Sequence, residues 1–326
     1  MTLAGPQWDR LSQGEKDDYS RKAKEMRGLE SGPAGAGSGR GGGGAMDSHG
    51  RSLQLIEERD REAKLLAEKK MMDVDKLVVQ DKNGNLEGKT FYVLHATVFS
   101  KVSAFSENWV PAEIAVAKFS LSSGLIQAYQ AFPLPGKLPL GSNFECRQQA
   151  EKLQVPLTPE DSSFNKKDVE IFEDLRAFLG STNICFVMPE LEAQVSGVMD
   201  RIAMRSNLPS LGLSYLSLPR LLFKLRTALC RSEEEVIEAL PTENLALRAL
   251  ELETGKFLYS GGLGCDHHEQ GDTAKCCQTA VASWVFTILD LCCPAFNLEM
   301  IPGQHSPAKP TQIKPVIWKA DSSSRR

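Results

Sequence analysis

The densest group of chemically capable residues lies in GGLGCDHHEQGDTAKCCQTAVASW, residues 261–284. Two residues separate Cys265 from His268, and seven separate His268 from Cys276. The glycines before Cys265 permit a tight turn, which lets a Cys-x-x-His pair point both side chains at one ion. Cys276 stands where a long apolar stretch begins, and the start of a helix favours the thiolate that binds metal. Sulfur together with imidazole selects zinc over magnesium or calcium.

Spacing alone leaves three interpretations of this stretch open. A structural zinc ion takes four ligands, so one is still missing. It could be a distant residue or one of the local candidates His267, Cys277, Asp266, Glu269 and Asp272. In the second interpretation, Cys265 or Cys276 is a nucleophile paired with a histidine and an acid, although no cysteine-hydrolase signature is present. In the third, the stretch is a polar loop followed by a helix whose cysteines are buried.

Composition and charge limit the class of protein and the type of partner to which these residues could belong. The chain has 326 residues, 41% hydrophobic and 25% charged, which is typical of a soluble globular protein. A net charge of −4 gives no global reason to expect nucleic acid, so any such contact needs a local patch. The N-terminus lacks the apolar core of a signal peptide, which predicts reduced cysteines. The apolar run at 279–296 contains Asp290 and Pro294, so we expect a buried helix there rather than a membrane span.

Shifts in composition divide the chain into five parts. We expect a short polar helix over 1–30, a glycine-rich flexible linker over 31–50, a charged solvated helix over 51–76, a globular domain over 77–302 and a proline-rich disordered tail over 303–326 that contains His305. The ligand candidates at 265–276 therefore belong to the globular domain and lie close to its end.

Hydrophobic patterns predict a mixed α/β fold for the globular domain. We expect strands over 89–99, 112–121 and 125–132, a helix over 166–179, a strand over 183–189, helices over 191–208, 215–230 and 232–240, and a long apolar helix ending near Cys293. Ribonuclease H-like folds begin with such an antiparallel hairpin followed by an alternating part. Active enzymes of that fold hold a metal pair with an acid on the first strand. Because residues 89–106 contain no Asp or Glu, the sequence argues against a two-metal nuclease, and we predict no catalytic residues.

Three segments resemble one known family in the same order along the chain. PAEIAVAKFSLSSGLIQAYQAFPLPG, which begins at Pro111, resembles the start of the Maelstrom domain and its E-I-(small)-x-x-K-(aromatic)-S-L pattern. Cys265-x-x-His268, seven residues and then Cys276 resemble the C-terminal metal motif of that domain. WDRLSQGEKDDYSRKAKEMR, at 8–27, resembles the last part of an HMG box, which precedes the domain in that family.

The resemblance implies a structural zinc ion (Zn²⁺) held by Glu113, Cys265, His268 and Cys276, with His267 as a neighbour. It implies a ribonuclease H-like domain of the DnaQ type, with a mixed sheet and flanking helices but without the acidic nuclease site. It further implies a role in piRNA-dependent transposon silencing in the germline during meiosis and differentiation. The expected partners are single-stranded RNA and piRNA-pathway proteins, without a membrane, and the expected location is the nucleus and cytoplasm, including perinuclear germ granules (nuage).

The HMG box keeps only its last helix here, whereas the residues that wedge into DNA lie mainly in the first two helices. The remnant therefore gives no basis for DNA binding, and it is what an N-terminally truncated gene model or isoform would show. Two alternatives to an RNA-binding scaffold stay open: a metal-independent RNA endonuclease, which the family also implies, and a protein-interaction domain without nucleic-acid contact. Basic residues on a single face would favour RNA, and the candidates are Lys118, Lys166, Lys167, Arg201, Arg205, Lys224 and Arg226.

Overall fold

The computed structural model describes residues 52–79, 85–101, 109–157, 165–230 and 232–308. The predicted HMG-box remnant (1–30) and linker (31–50) lie outside these ranges. The chain divides into two compact units after Glu62. In the first unit, the described residues 52–62 form the start of a helix, and the rest of the fold belongs to the second unit.

A six-stranded mixed sheet forms the centre of the second unit. Its strands are β1 (Phe91–Lys101), β2 (Trp109–Ser120), β3 (Gly124–Pro133), β4 (Asn165–Lys166), β5 (Ile184–Val187) and β6 (Ser214–Ser217). They are ordered β4-β3-β2-β1-β5-β6. The first three strands are antiparallel neighbours, whereas β5 runs parallel to β1 and β6 runs parallel to β5. The predicted opening hairpin is therefore present, and a parallel part follows it.

Helices cover both faces of this sheet. They are α1 (Leu53–Val79), α2 (Asn143–Leu153), α3 (Asp168–Leu179), α4 (Glu192–Arg205), α5 (Leu218–Thr227), α6 (Glu233–Ala239), α7 (Glu243–Leu252) and α8 (Cys277–Cys292). One hydrophobic cluster joins α5, α7 and α8 to one face of the sheet. A second cluster joins α3 and α4 to the other face. The predicted charged helix is longer than expected, because α1 continues to Val79 and buries Val74 and Val78 in the first cluster.

The apolar run near the C-terminus is the core helix α8, as the sequence predicts. A helix over Cys277–Phe296 is long and apolar enough to cross a membrane, but 67% of its most apolar window is buried inside the protein. Twelve of the sixteen α8 residues are buried. Its hydrophobicity is therefore satisfied by the sheet and the neighbouring helices.

Two predictions for the middle of the chain need correction. The first three residues assigned to a helix over 215–230 belong to β6. The helix α5 begins only after Ser217, which caps it by accepting a hydrogen bond from the Arg220 backbone N–H at 3.1 Å. The second is an omission: α2 follows the proline-rich segment after β3. It is hard to recognise because Cys146 is its one buried residue, so it lacks an apolar stripe.

The segment after Pro302 is also ordered further than the sequence predicts. His305 is 1% exposed, and its Nε2 lies 3.0 Å from the Leu121 carbonyl oxygen. The backbone N–H of Leu125 donates to the Gln304 carbonyl at 2.7 Å. The turn between β2 and β3 needs Gly124 there, since its φ is +68° and a Cβ would lie 2.3 Å from the Gln304 oxygen. The expectation that His305 lies in a disordered tail is therefore wrong, and residues 303–308 close this turn.

Candidate metal centre

Three separate parts of the fold meet at one point on the α8 face of the sheet. Glu113 lies on β2 opposite Thr97 of β1, directly after a β-bulge at Pro111–Ala112. A bulge re-aims neighbouring side chains, and it accommodates a proline that cannot donate to the ladder. Cys265 and His268 lie in the loop before α8, and Cys276 is the N-cap residue immediately before α8.

The structure brings all four predicted ligands together, namely Glu113, Cys265, His268 and Cys276. One ligand atom from each lies within 4.8 Å of the others, and all four residues are buried. The Cys265 Sγ is 3.2 Å from the His268 Nδ1, and the Cys276 Sγ is 3.3 Å from the Glu113 Oε1. The second Glu113 oxygen is 3.9 Å from the same Nδ1. This Glu–Cys–His–Cys cluster, called the ECHC cluster below, is an arrangement that could hold a metal ion.

The surrounding groups orient the ligands. The His268 Nε2 donates to the Leu153 carbonyl at 3.0 Å, which leaves Nδ1 free to face the cluster. Gln130 on β3 donates to one Glu113 oxygen at 3.0 Å, and the Cys277 backbone N–H donates to the other at 2.8 Å. Such partners of the ligands fix ring and carboxylate orientation in metal sites. Sequence reasoning missed Gln130 and α2, because neither has a recognisable spacing relative to the cysteines.

Burial and mutual contacts shift the pKa values within the ECHC cluster. Burial, followed by the nearby Cys276 sulfur, raises the pKa of Glu113 to about 8. The hydrogen bond between the two cysteines lowers the pKa of Cys276 to about 3 and raises that of Cys265 well above its usual range. Burial lowers the pKa of His268, but its contact with Cys276 and other partners outweighs this and raises it. The low pKa of Cys276 places a negative charge inside the cluster, where a bound cation would neutralise it.

The other local candidates have different roles. His267 points away, and its Nε2 lies 2.6 Å from the Gln154 carbonyl oxygen at the end of α2. The Cys277 Sγ faces the Thr97 hydroxyl at 3.5 Å. Glu269 accepts the backbone N–H groups of Gly262 and Gly264 at 3.0 and 2.8 Å, so it holds the glycine loop in shape. Asp272 caps the short 3-10 helix that follows. These residues build the loop that presents Cys265 and His268.

All eight cysteines are free thiols. At the ECHC cluster the two cysteines, His268 and Glu113 are all buried, so no cysteine paired with a histidine and an acid is exposed to solvent there. Cys146, Cys185, Cys292 and Cys293 are buried, as a core role predicts, whereas Cys230 is half-buried. His95 on β1 stacks edge-on against Trp284 of α8, with ring centroids 5.2 Å apart. Burial lowers the pKa of His95 to about 4, so it is neutral. The α8 side of β1 is therefore filled by packing rather than open as a catalytic groove.

The seven basic candidates do not share one surface. Lys118, Lys166, Lys167, Arg201 and Arg205 belong to the α3 and α4 side, whereas Lys224 and Arg226 lie on α5. Arg205 pairs with Asp168 at 2.9 Å, and Lys224 pairs with Asp75 at 2.9 Å. Arg201 donates to the Pro135 carbonyl at 3.3 Å. Several of these cations are thus already engaged within the protein.

Fold and site together define a mixed α/β domain with a buried four-residue cluster that could hold a metal. Over residues 102–312 the chain matches the family model described as Maelstrom, piRNA pathway germ-plasm component. The chain belongs to the Maelstrom family, which confirms the resemblance to the Maelstrom domain; the matched range does not include the HMG-box segment at 8–27. "Protein maelstrom homolog" of Culex quinquefasciatus is 23% identical over 330 residues, covering 99% of this chain and 62% of that protein. "Protein maelstrom" of Drosophila melanogaster is 22% identical over 334 residues, covering 97% and 68%. The chain thus spans about two thirds of these relatives.

Proposed function

We propose that this Maelstrom-family chain is a zinc-stabilised, single-stranded RNA-binding or scaffold protein of the piRNA pathway, acting in germline transposon silencing. The observation that carries this proposal is the buried ECHC cluster at the junction of β2, the glycine loop and α8. The expected location is the nucleus and cytoplasm, including nuage, in line with the family description as a germ-plasm component.

The geometry of the ECHC cluster supports zinc. Zinc bond lengths of ~2.0–2.3 Å in a tetrahedron separate neighbouring ligand atoms by about 3.3–3.8 Å. The three distances between ligand atoms given above, 3.2, 3.3 and 3.9 Å, lie close to that range. Two sulfurs, one imidazole and one carboxylate are a donor set that zinc accepts. Glu113, Cys265, His268 and Cys276 would hold the ion, which would link the hairpin to the C-terminal helix.

A structural role fits better than a catalytic one. A catalytic zinc keeps one position for water or substrate, whereas here the four protein groups would occupy all four positions of the ion. His268 is 1% exposed, Glu113 is fully buried, and the start of α8 adjoins the site. Binding would stabilise the folded state, because the unfolded chain lacks a preformed site.

The ribonuclease H-like assignment forms part of the same proposal. The strand order β3-β2-β1-β5-β6, with two antiparallel and two parallel neighbour pairs, supports it. The face of β1 that would carry catalytic acids bears His95 and Thr97 instead, and α8 packs over both through Trp284 and Cys277. This arrangement favours binding over two-metal hydrolysis.

Metal analysis of the purified full chain tests the zinc part of the proposal. We expect about one zinc ion per chain. Cys276→Ser should lose the metal, whereas the matched variant Cys292→Ser, in the same helix but outside the ECHC cluster, should keep it. Metal-free protein with an unchanged melting temperature would overturn the structural role.

An RNA titration tests the second part of the proposal. The full chain should bind a labelled single-stranded RNA and leave it intact, both with and without chelator. Cleavage that persists in chelator with the fold verified would favour the metal-independent endonuclease instead. Absence of RNA binding in a folded, zinc-loaded chain would favour the protein-interaction alternative.

A further inference from the structure

Three aromatic rings and two lysines adjoin at the margin of the sheet face that carries α3. Tyr92 of β1, Lys118 of β2 and Gln127 of β3 occupy one cross-strand row. Phe178 near the end of α3 lies between Tyr92 and Tyr129, with ring centroids 6.1 Å from each. We call Tyr92, Lys118, Tyr129, Lys166 and Phe178 the aromatic–lysine patch. It lies on the face opposite the ECHC cluster.

Both lysines of this patch lie over its tyrosine rings. The Lys118 Nζ is 5.8 Å from the centroid of Tyr92, and the Lys166 Nζ is 5.5 Å from that of Tyr129. All three rings are half-buried, so each is held by packing and still reaches the surface. α3 ends at Leu179 and Gly180 caps it, so Phe178 lies in the last turn of the helix beside the two tyrosines.

We propose that the aromatic–lysine patch is the surface on which this protein stacks the bases of a single-stranded RNA, with Lys118 and Lys166 contacting the flanking phosphates. Single-stranded nucleic acids are bound where aromatic rings offer stacking platforms beside positive charge. The inference rests on the proposed RNA-binding function and gives it a place on the fold.

The exposure and ion pairing of Lys166 distinguish this patch from a second group in which cations lie over an aromatic ring. Arg220 and Lys224 lie over Phe223, but their side chains are 14% and 24% exposed and are held by Asp75 and Glu243. Lys166, in contrast, is 43% exposed and pairs with an Asp174 carboxylate that is 42% exposed. Exposed ion pairs are weak, so Lys166 can exchange this partner for a phosphate.

Asp174 allows a more specific test of the proposal, because its negative charge would repel an RNA phosphate. Its carboxylate accepts hydrogen bonds from the Tyr129 hydroxyl at 3.2 Å and from Lys166 at 2.8 Å. It therefore positions the ring and the lysine, but it also repels a phosphate placed near them. Replacing this charge with an amide of the same shape should improve RNA binding if the patch is the site.

The test is a titration of the full chain against a fluorescein-labelled single-stranded RNA of about 12 nucleotides, followed by anisotropy. Tyr92→Ala should weaken binding about tenfold by loss of one stacking platform, whereas Tyr92→Phe should bind like wild type. Lys118→Gln should weaken binding and lower the slope of log affinity against log salt by about 0.7. Asp174→Asn should tighten it. Tyr259→Ala, which removes a 67% exposed tyrosine outside the patch, is the matched control and should change nothing.

The outcomes distinguish a wrong location of the RNA-binding surface from a wrong RNA-binding function. If wild type binds the RNA but folded Tyr92→Ala and Lys118→Gln bind equally well, the patch is wrong and the RNA-binding function stands. If wild type does not bind, both fail. An RNA duplex that competes as well as the single strand would overturn base stacking. Should Tyr92→Ala fail to fold, the surface variants Lys118→Gln and Asp174→Asn decide the question.

Discussion

The polar groups on the two faces of the sheet differ in how far they are exposed to solvent. On the α8 face, the four members of the ECHC cluster are buried and contact one another or the backbone. On the α3 face, the aromatic–lysine patch is half-buried, and its lysine–carboxylate pair is open to water. Burial makes the loss of one partner costly, whereas exposure makes partners exchangeable. This difference is what we expect if the ECHC face holds the fold together and the other face receives a ligand, as proposed above.

Removing one ECHC ligand tests this difference where the largest effect is expected. If the proposed zinc is bound, Cys276→Ala should lower the free energy of unfolding by ~4 kcal/mol or more, because it removes a ligand and leaves Glu113 buried without the cation. Chemical denaturation with parallel zinc analysis measures both. Cys292→Ala, equally buried in α8, is the control and should cost ~1 kcal/mol. Equal losses in the two variants would remove any special role for the cluster.

Packing on the α3 face is tested by one glycine. A Cβ on Gly197 of α4 would lie 1.9 Å from the Cδ1 of Trp109. Gly197→Ala should therefore destabilise the domain by ~1–3 kcal/mol through overpacking, although alanine normally favours helices. Thermal melting provides the measurement. Gly255→Ala, with no atom within 4 Å of its Cβ, should leave the melting temperature nearly unchanged.

A smaller effect is expected from the groups that orient the ECHC ligands. Gln130→Leu removes the donor to one Glu113 oxygen and should weaken zinc affinity ~10–100-fold while the zinc-loaded fold persists. Competition with a calibrated zinc chelator measures the affinity. Gln127→Leu, on the same strand but exposed, should have wild-type affinity. A Gln130→Leu protein that binds zinc as tightly as wild type would show that Glu113 needs no such support.

The smallest effect on stability is expected from the exposed ion pair between Lys166 and Asp174. Lys166→Ala should change the free energy of unfolding by less than ~1 kcal/mol, because both partners are more than 40% exposed. Denaturation in low and high salt would reveal any larger contribution. A loss of several kcal/mol would mean that Lys166 supports the fold, and the contrast between the two faces would disappear.

The sequence predicts more residues of the ECHC cluster than of the aromatic–lysine patch. Cys265, His268 and Cys276 can be selected from their spacing, but Glu113 could be named only through the family resemblance, since 151 residues separate it from Cys265. No local pattern encodes that contact, because a bulged strand and a distant loop create it. The aromatic–lysine patch depends on strand register and on where α3 ends, and neither can be read from composition.

The elements themselves were predictable where one physical signal dominated. The β2–β3 hairpin follows from alternation and a glycine turn, and α8 follows from its length and hydrophobicity. β6 has only four residues before Pro219, so leucine spacing suggested a helix instead. The order of residues 303–308 comes from long-range contacts of His305 and Gln304 with the β2–β3 turn, which a proline-rich composition does not reveal.

The distance along the chain between Glu113 and Cys265 has a consequence for biosynthesis. At ~5–20 residues per second, the hairpin leaves the ribosome about 8–30 s before the loop that supplies the remaining ligands. During that interval β2 carries a carboxylate that has no partner and is too costly to bury alone. The hairpin should therefore stay open to chaperones until residues 265–276 emerge, so that zinc binding follows the synthesis of this loop.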